Sequence, residues 1–200
     1  VSTMEELCKQ IEELRAKNSK ILNEKINEEL VQLEMKNARF NAKVIEDGEF
    51  SINGKSHVEF VITTNLGEEE KKLNKIASGG EMSRIMLAIK TVLSDIDEVP
   101  VLIFDEIDTG ISGKAANSVG SKLKKIAKKH QVIIVTHLAT IAAQGDYNYY
   151  IYKEVAANKT NTNVKLLNES ETIREIARIA SGEITEISLS HARELRNKNV

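Results

Sequence analysis

Two acidic residues, Asp105 and Glu106, directly follow the apolar run Val101-Leu102-Ile103-Phe104. A short run of this kind reads as a buried strand, and open α/β sheets bind their ligands at the carboxyl ends of such strands. Placed there, the first carboxylate can hold part of a magnesium shell while the second orients or deprotonates an attacking water. That is the chemistry of nucleotide hydrolysis. The plainer alternative is a pair of strand-end acids facing solvent. A second apolar run, Val132 to Val135, delivers His137 to its own carboxyl end. If the two strands are neighbours, the imidazole arrives beside Glu106, where it can sense or polarise a terminal phosphate. By itself it would read as a histidine capping the next helix.

The third group is Ser78-Gly79-Gly80-Glu81, at the start of a helical pattern that leads into the acidic strand. Ser78 is a natural N-cap and Glu81 completes a capping box, which explains both without any function. A box has no need of two glycines. Gly79 and Gly80 remove side chains where the first free amides of the helix point outward, so a phosphate can approach closely. A look-alike is set aside: Gly54-Lys55-Ser56 resembles the end of a P-loop, but the glycine required five residues earlier is Glu49, and no buried strand precedes it. It reads as a hairpin turn. The chain therefore has no loop to cradle the α- and β-phosphates of a nucleotide.

The elements that must position these groups follow from the periodicity. From Met4 to about Lys36 apolar residues recur with heptad-like spacing (Met4, Leu7, Ile11, Leu14, Ile21, then Ile26, Leu30 and Leu33). This predicts one long helix, as the end of a coiled coil or as an amphipathic helix lying on a domain. Phe40 to Thr64 turns strand-like around Gly48, Asn53 and Gly54, a hairpin or meander, and Asn65 to Asn74 reads as a polar connector. Helix and strand then alternate: helix 80–95, strand 101–104, helix 113–129, strand 132–135, strands 149–155 and 164–167, and closing helices 171–180 and 186–196. The pattern predicts an α/β layer with a mostly parallel sheet.

Composition bounds the rest. With 200 residues, 41% of them apolar, the chain can bury a real core. Against 30 acidic residues stand 28 basic ones, a net charge of −2, so any nucleic-acid contact needs a local patch. The single cysteine, Cys8, excludes an internal disulfide and a cysteine zinc site, and it points to a reducing, cytoplasmic setting. No apolar run is long enough to span a membrane, and the amino terminus is charged rather than signal-like. The sequence opens on Val1 without an initiator Met, as a piece of a longer chain or a processed one would.

Taken in order, IASGGEMSRIMLAIKTVL, VLIFDEIDTGISG and VIIVTHLATIAAQGD resemble the signature, Walker B with D-loop, and switch-histidine segments of ABC-type ATPases. SGGE in place of SGGQ, FDEID followed by TGISG, and THL followed by IAA resemble the SMC-related RecN family of bacterial DNA repair proteins. The flanks LEMKNARF, FVITTNLG and EIARIASGEITEISLSHARELR are similar to the C-terminal half of the same family. The resemblance implies half of an ABC/SMC-type head lacking the P-loop half, with residues 1–37 as the end of a coiled-coil arm and 38–200 as the C-terminal lobe.

It further implies ATP and Mg2+ as cofactors, with Asp105 as the magnesium acid, Glu106 as catalytic base and His137 as the switch histidine. Ser78, Gly79, Gly80 and Glu81 would contact ATP held by the opposite head, with Asp108, first residue of the D-loop that runs to Gly113, also at the nucleotide. Implied partners are the N-terminal half of the same head, a second copy engaged head to head, and DNA, in a nucleoid-associated cytoplasmic protein. Ala139-Thr140 departs from the family pattern, where Pro-Gln is expected after THL. The rivals are a non-catalytic dimerisation or DNA-contacting module carrying the basic run Lys122, Lys124, Lys125, Lys128 and Lys129, and a transporter ATPase subunit.

Overall fold

A computed structural model describes residues 2–156 and 159–198. Its first element, α1 (Ser2–Gln32), runs without a breaker for 31 residues. Ile26 and Leu30, one turn apart, are fully buried, as is Leu33 just beyond the helix, and they seat it against the rest of the fold. Met4, Leu7, Leu14 and Ile21 form a second stripe, which stays exposed. The helix thus lies on the domain by one face and leaves the heptad positions of the other uncovered.

It ends four residues before Lys36, in a left-handed turn. Glu34 has φ +59, the Glu34 amide donates to Val31 O, and the Met35 amide donates to Leu30 O. Those two bonds are the Schellman arrangement, whose left-handed position favours glycine. Glu34→Gly should therefore stabilise the chain by about 0.5–1 kcal/mol, read as a higher urea midpoint at unchanged slope.

The predicted hairpin forms from β1 (Arg39–Ser51) and β2 (Gly54–Thr63), antiparallel in register from Arg39↔Thr63 to Glu46↔Ser56. Gly54 sits at its corner with φ +94, and Ser56 is buried, its hydroxyl accepting from Arg15 Nη1 at 2.9 Å. Gly54-Lys55-Ser56 is thus a hairpin corner clamped to α1. The connector holds one element the sequence hid, β3 (Lys71–Lys72), which pairs with β2.

Next come α2 (Gly79–Leu93), β4 (Val101–Phe104), α3 (Gly113–Ala127) and β5 (Gln131–Ile134). β4 and β5 are adjacent and parallel, with Phe104 opposite Ile134. Leu102 and Phe104 face a core of Ile85, Leu87, Val119, Leu123 and Ile126. The other face is bare: Ile103 is 68% and Ile133 44% exposed. Parallel sheets are ordinarily covered on both faces.

The parallel layer is smaller than the alternating pattern predicts. The strands β6 (Tyr149–Ala156) and β7 (Lys159–Leu166) pair antiparallel with each other rather than extending β4 and β5. Strands this close in sequence pair antiparallel, because a parallel pair needs a crossover of a dozen or more residues. A four-residue helix, α4 (Ala139–Ala142), leads into them, and α5 (Glu169–Ser181) and α6 (Glu186–Asn197) close the described chain. Asn168 and Glu171 form a reciprocal capping box on α5, and Gly182 ends that helix at φ +77. Ala139, Ala143, Ile176, Ala177 and Ala192 pack these helices into a second, smaller core. Among the described residues no helix is long and apolar enough to cross a membrane.

Candidate active site

β4 and β5 deliver their terminal residues side by side, because the pairing continues one step past the strands: the Val135 amide donates to Phe104 O at 3.0 Å. Asp105 and Glu106 are exposed at this end. The Glu106 amide donates to Asp105 Oδ1 at 2.9 Å, and Ser83 Oγ, from α2, donates to Asp105 O at 2.7 Å. Glu106 itself has φ +56, one of two left-handed non-glycine residues among those described. That conformation costs a glutamate about 1–2 kcal/mol. It is held by a tight turn in which the Thr109 amide donates to Glu106 O.

Against this turn lies the start of α2. Ser78 is exposed, has extended backbone, and its hydroxyl accepts from the Glu81 amide at 3.4 Å. The capping box predicted here is half formed: Ser78 caps Glu81, and the return bond from the Glu81 side chain is not made. Ser78 and Glu81 instead line a shallow cavity of about 200 Å³ with Thr64, Asn65, Lys71 and Lys75. The two glycines are explained by what they face. A Cβ on Gly79 would stand 2.0 Å from Glu106 Oε2, and one on Gly80 would meet Glu106 O at 3.0 Å and Thr109 O at 3.1 Å. Within one chain, then, the glycine pair makes room for Glu106 and its turn.

His137 comes to the same end with its side chain 71% exposed, but its partner is Asp108 rather than Glu106. Asp108 is 1% exposed. Its Oδ2 accepts from Thr136 Oγ1 at 2.5 Å and from the His137 amide at 2.8 Å, and lies 3.1 Å from His137 Nδ1. Within this chain the Asp108 carboxylate, expected at the nucleotide, is buried and accepts from Thr136 and His137. Of the other expected site residues, Ser78, Gly79, Asp105, Glu106 and His137 are exposed and Glu81 is half-buried, while Gly80 is buried beneath the Glu106 turn.

Sequence reasoning passed over Arg84. It is buried on α2, and Nη1 donates to Thr109 O at 2.8 Å and to Ile107 O at 3.4 Å, while Nε has no partner. Burial pushes its guanidinium below the usual arginine value, against the opposing pull of Glu81 one turn earlier. A signal existed: Gly80, Arg84, Leu87, Ala88 and Thr91 make one helical stripe, and all five are buried.

No family model matches the chain. Curated proteins do: it is 43% identical over 179 residues to the DNA repair protein RecN of Halalkalibacterium halodurans, covering 87% of this chain and 32% of that protein. To RecN of Haemophilus influenzae it is 40% identical over 183 residues, covering 90% and 33%. The chain belongs to the RecN family. It spans about a third of the length of these RecN relatives and corresponds to their C-terminal part. RecN of Bacillus subtilis is 46% identical over 139 residues, 69% of the chain and 24% of that protein.

Among solved structures, the fold matches an Smc head domain with coiled coil and joint from Pyrococcus yayanosii, with TM-score 0.55 and 17% identity over 84% of this chain and 30% of that one. An Smc head with extended coiled coil from Pyrococcus furiosus matches with TM-score 0.50 and 19% identity over 82% and 39%. The chain thus shares the fold of part of an Smc head domain.

The basic run on α3 does not form one free cationic face in this RecN chain. Lys122 turns inward to Glu29 of α1, and Lys129 pairs with Asp95.

Proposed function

We propose that the chain is the C-terminal half of a RecN-type ATPase head, acting in DNA double-strand-break repair, and that it supplies the hydrolytic groups for ATP when two complete heads meet. The observation that carries this is the meeting of an exposed acid pair, an exposed imidazole and a glycine-opened helix start at one edge of a parallel strand pair. Fold-level likeness alone would not distinguish a hydrolase from a scaffold.

Each group then has a role. Asp105, with one carboxylate oxygen already accepting from the Glu106 amide, suits a single ligand position on Mg2+. Magnesium is commonly bound by one or two carboxylates together with substrate phosphates and water, and among the described residues no cluster of three or more acidic, histidine or cysteine side chains stands ready to hold a metal unaided. The metal would be held jointly with the nucleotide and neutralise phosphate charge. Glu106 takes the proton of the attacking water, and His137 stabilises charge on the γ-phosphate. Ser78, with the free amides at the start of α2, receives the γ-phosphate of the nucleotide bound to the partner head.

The bare face of β4 and β5 and the open edge of β5 are where the N-terminal half of the head would pack, bringing the phosphate-cradling loop. The exposed stripe of α1 suits pairing with a second helix, as residues 1–37 would in a coiled-coil arm. Head engagement would then couple ATP state to bridging or clamping of DNA. The 200-residue chain alone is expected neither to turn over ATP nor to bind it tightly.

The Gly79–Glu106 contact lies within one chain and favours a second arrangement, in which signature and base serve the same nucleotide. Complementation separates the two. Complete proteins carrying Ser78→Arg and Glu106→Gln are each expected to be inactive. Mixed, they restore about a quarter of wild-type turnover, because half of randomly paired dimers contain one intact composite site. A mixture as inactive as its components means the composite site is wrong.

A further inference from the structure

We infer that Asp108 is a positioning residue for hydrolysis, acting through His137 and not through the nucleotide. This rests on the ATPase proposed above. A carboxylate with its side chain only 2% exposed must have its acceptors filled, since an unpaired buried charge is strongly unfavourable. Both hydrogen-bond donors to Asp108 Oδ2 belong to one dipeptide, the Thr136 hydroxyl and the His137 amide, and His137 Nδ1 lies 3.1 Å from the same oxygen. No other segment competes for that oxygen among the contacts described, so the residue following the acid pair by two positions is committed to the turn that carries the imidazole.

The chemistry of the pairing goes beyond packing. An amide or hydroxyl could satisfy Thr136 and the backbone equally well. A carboxylate oxygen 3.1 Å from Nδ1 also orients the ring, holding its Nδ1 edge at Asp108 while the side chain stays 71% exposed and open to a nucleotide. Asp108 therefore sets the direction of the ring. The Asp108 backbone is itself braced from the α2 side, where Arg84 donates to the carbonyls of its two neighbours, Ile107 and Thr109. The loop after β4 thus aims the imidazole at the end of β5.

The test is a double-mutant cycle on ATP turnover by the complete protein. Asp108→Asn is expected to lower kcat about 10- to 100-fold with KM for ATP within about threefold, since misplacing a reacting group by about 1 Å costs on the order of 10²-fold. In a His137→Ala background the same change adds less than about twofold, because nothing remains to position. Thr136→Val leaves the buried carboxylate in place and gives a smaller loss, about 3- to 10-fold, again only while His137 is present; it decides the matter if Asp108→Asn does not fold. Equal losses with and without His137 overturn the inference, as does an effect confined to KM. If instead the complete wild-type protein turns over no ATP, the ATPase reading has failed, and the two failures stay distinguishable.

Discussion

Glu106→Gln in the complete protein is expected to slow ATP hydrolysis about 10²- to 10⁴-fold while leaving ATP bound and the heads engaged. Gln preserves the length and shape of the side chain but cannot take a proton, so binding and chemistry separate. The backbone sharpens the prediction. Glu106 occupies the left-handed region, at φ +56, where a glutamate is strained by about 1–2 kcal/mol. Such strain persists where surrounding structure over-determines it, as the Thr109 amide, Ser83 and the Asp105 carboxylate do here. Glu106→Gly should therefore raise the unfolding midpoint while abolishing turnover, an opposition between stability and activity that a solvent-facing strand-end acid would not show. Single-turnover hydrolysis and urea unfolding of the same two variants check both halves. Turnover within threefold of wild type for Gln removes Glu106 as the base.

What the sequence could reveal was whatever depends on local pattern. Val101 to Phe104 alternates against a core on one side, so strand and acid pair were legible together. Ser78 announced the start of α2 through its capping chemistry, and Gly54 announced the hairpin corner that disqualified the look-alike P-loop. Long-range pairing was less legible. Tyr149 to Ala156 has the composition of a strand, but nothing in it says whether it pairs with β5 or with β7, and the antiparallel register with β7 is seen only in the fold.

Buried polar residues were the hardest to read. Asp108 looked like one more loop acid near a phosphate, yet its carboxylate is turned inward, because Thr136 and His137 present two hydrogen-bond donors to it from a strand end that is distant in sequence. Arg84 carries a charge that ordinarily argues for the surface, and it is buried because the carbonyls of Ile107 and Thr109 turn towards it. For Asp108 the partner is set by the register of β4 against β5 and for Arg84 by the packing of α2 on the turn after β4, neither of which residue types alone encode. The same register explains the exposed apolar face of that sheet: a two-stranded parallel unit with Ile103 and Ile133 open to solvent is half of a layer. A chain spanning about a third of its relatives' length is consistent with that.

Gly79→Ala is expected to remove turnover almost as completely as loss of Glu106, and by a different route. The added Cβ would lie 2.0 Å from Glu106 Oε2 and 3.2 Å from its Cδ, far inside contact distance. The atoms it strikes are the far end of a flexible side chain, so the fold can yield simply by swinging the carboxylate away. The cost falls on chemistry: a displacement of about 1 Å in a reacting group costs on the order of 10²-fold in kcat, with stability within about 1 kcal/mol of wild type. Gly80→Ala behaves otherwise. Its Cβ meets the carbonyl oxygens of Glu106 and Thr109 at 3.0 and 3.1 Å, and backbone cannot swing aside as a side chain does. That variant must shift the whole 106–109 turn, carrying Asp108 and hence His137 with it, so both the unfolding midpoint and kcat should fall. The contrast between neighbouring glycines is the informative measurement. If their only task were to admit a phosphate to the start of α2, both variants would weaken ATP-dependent head engagement to a similar degree, and neither would separate hydrolysis from stability in this way.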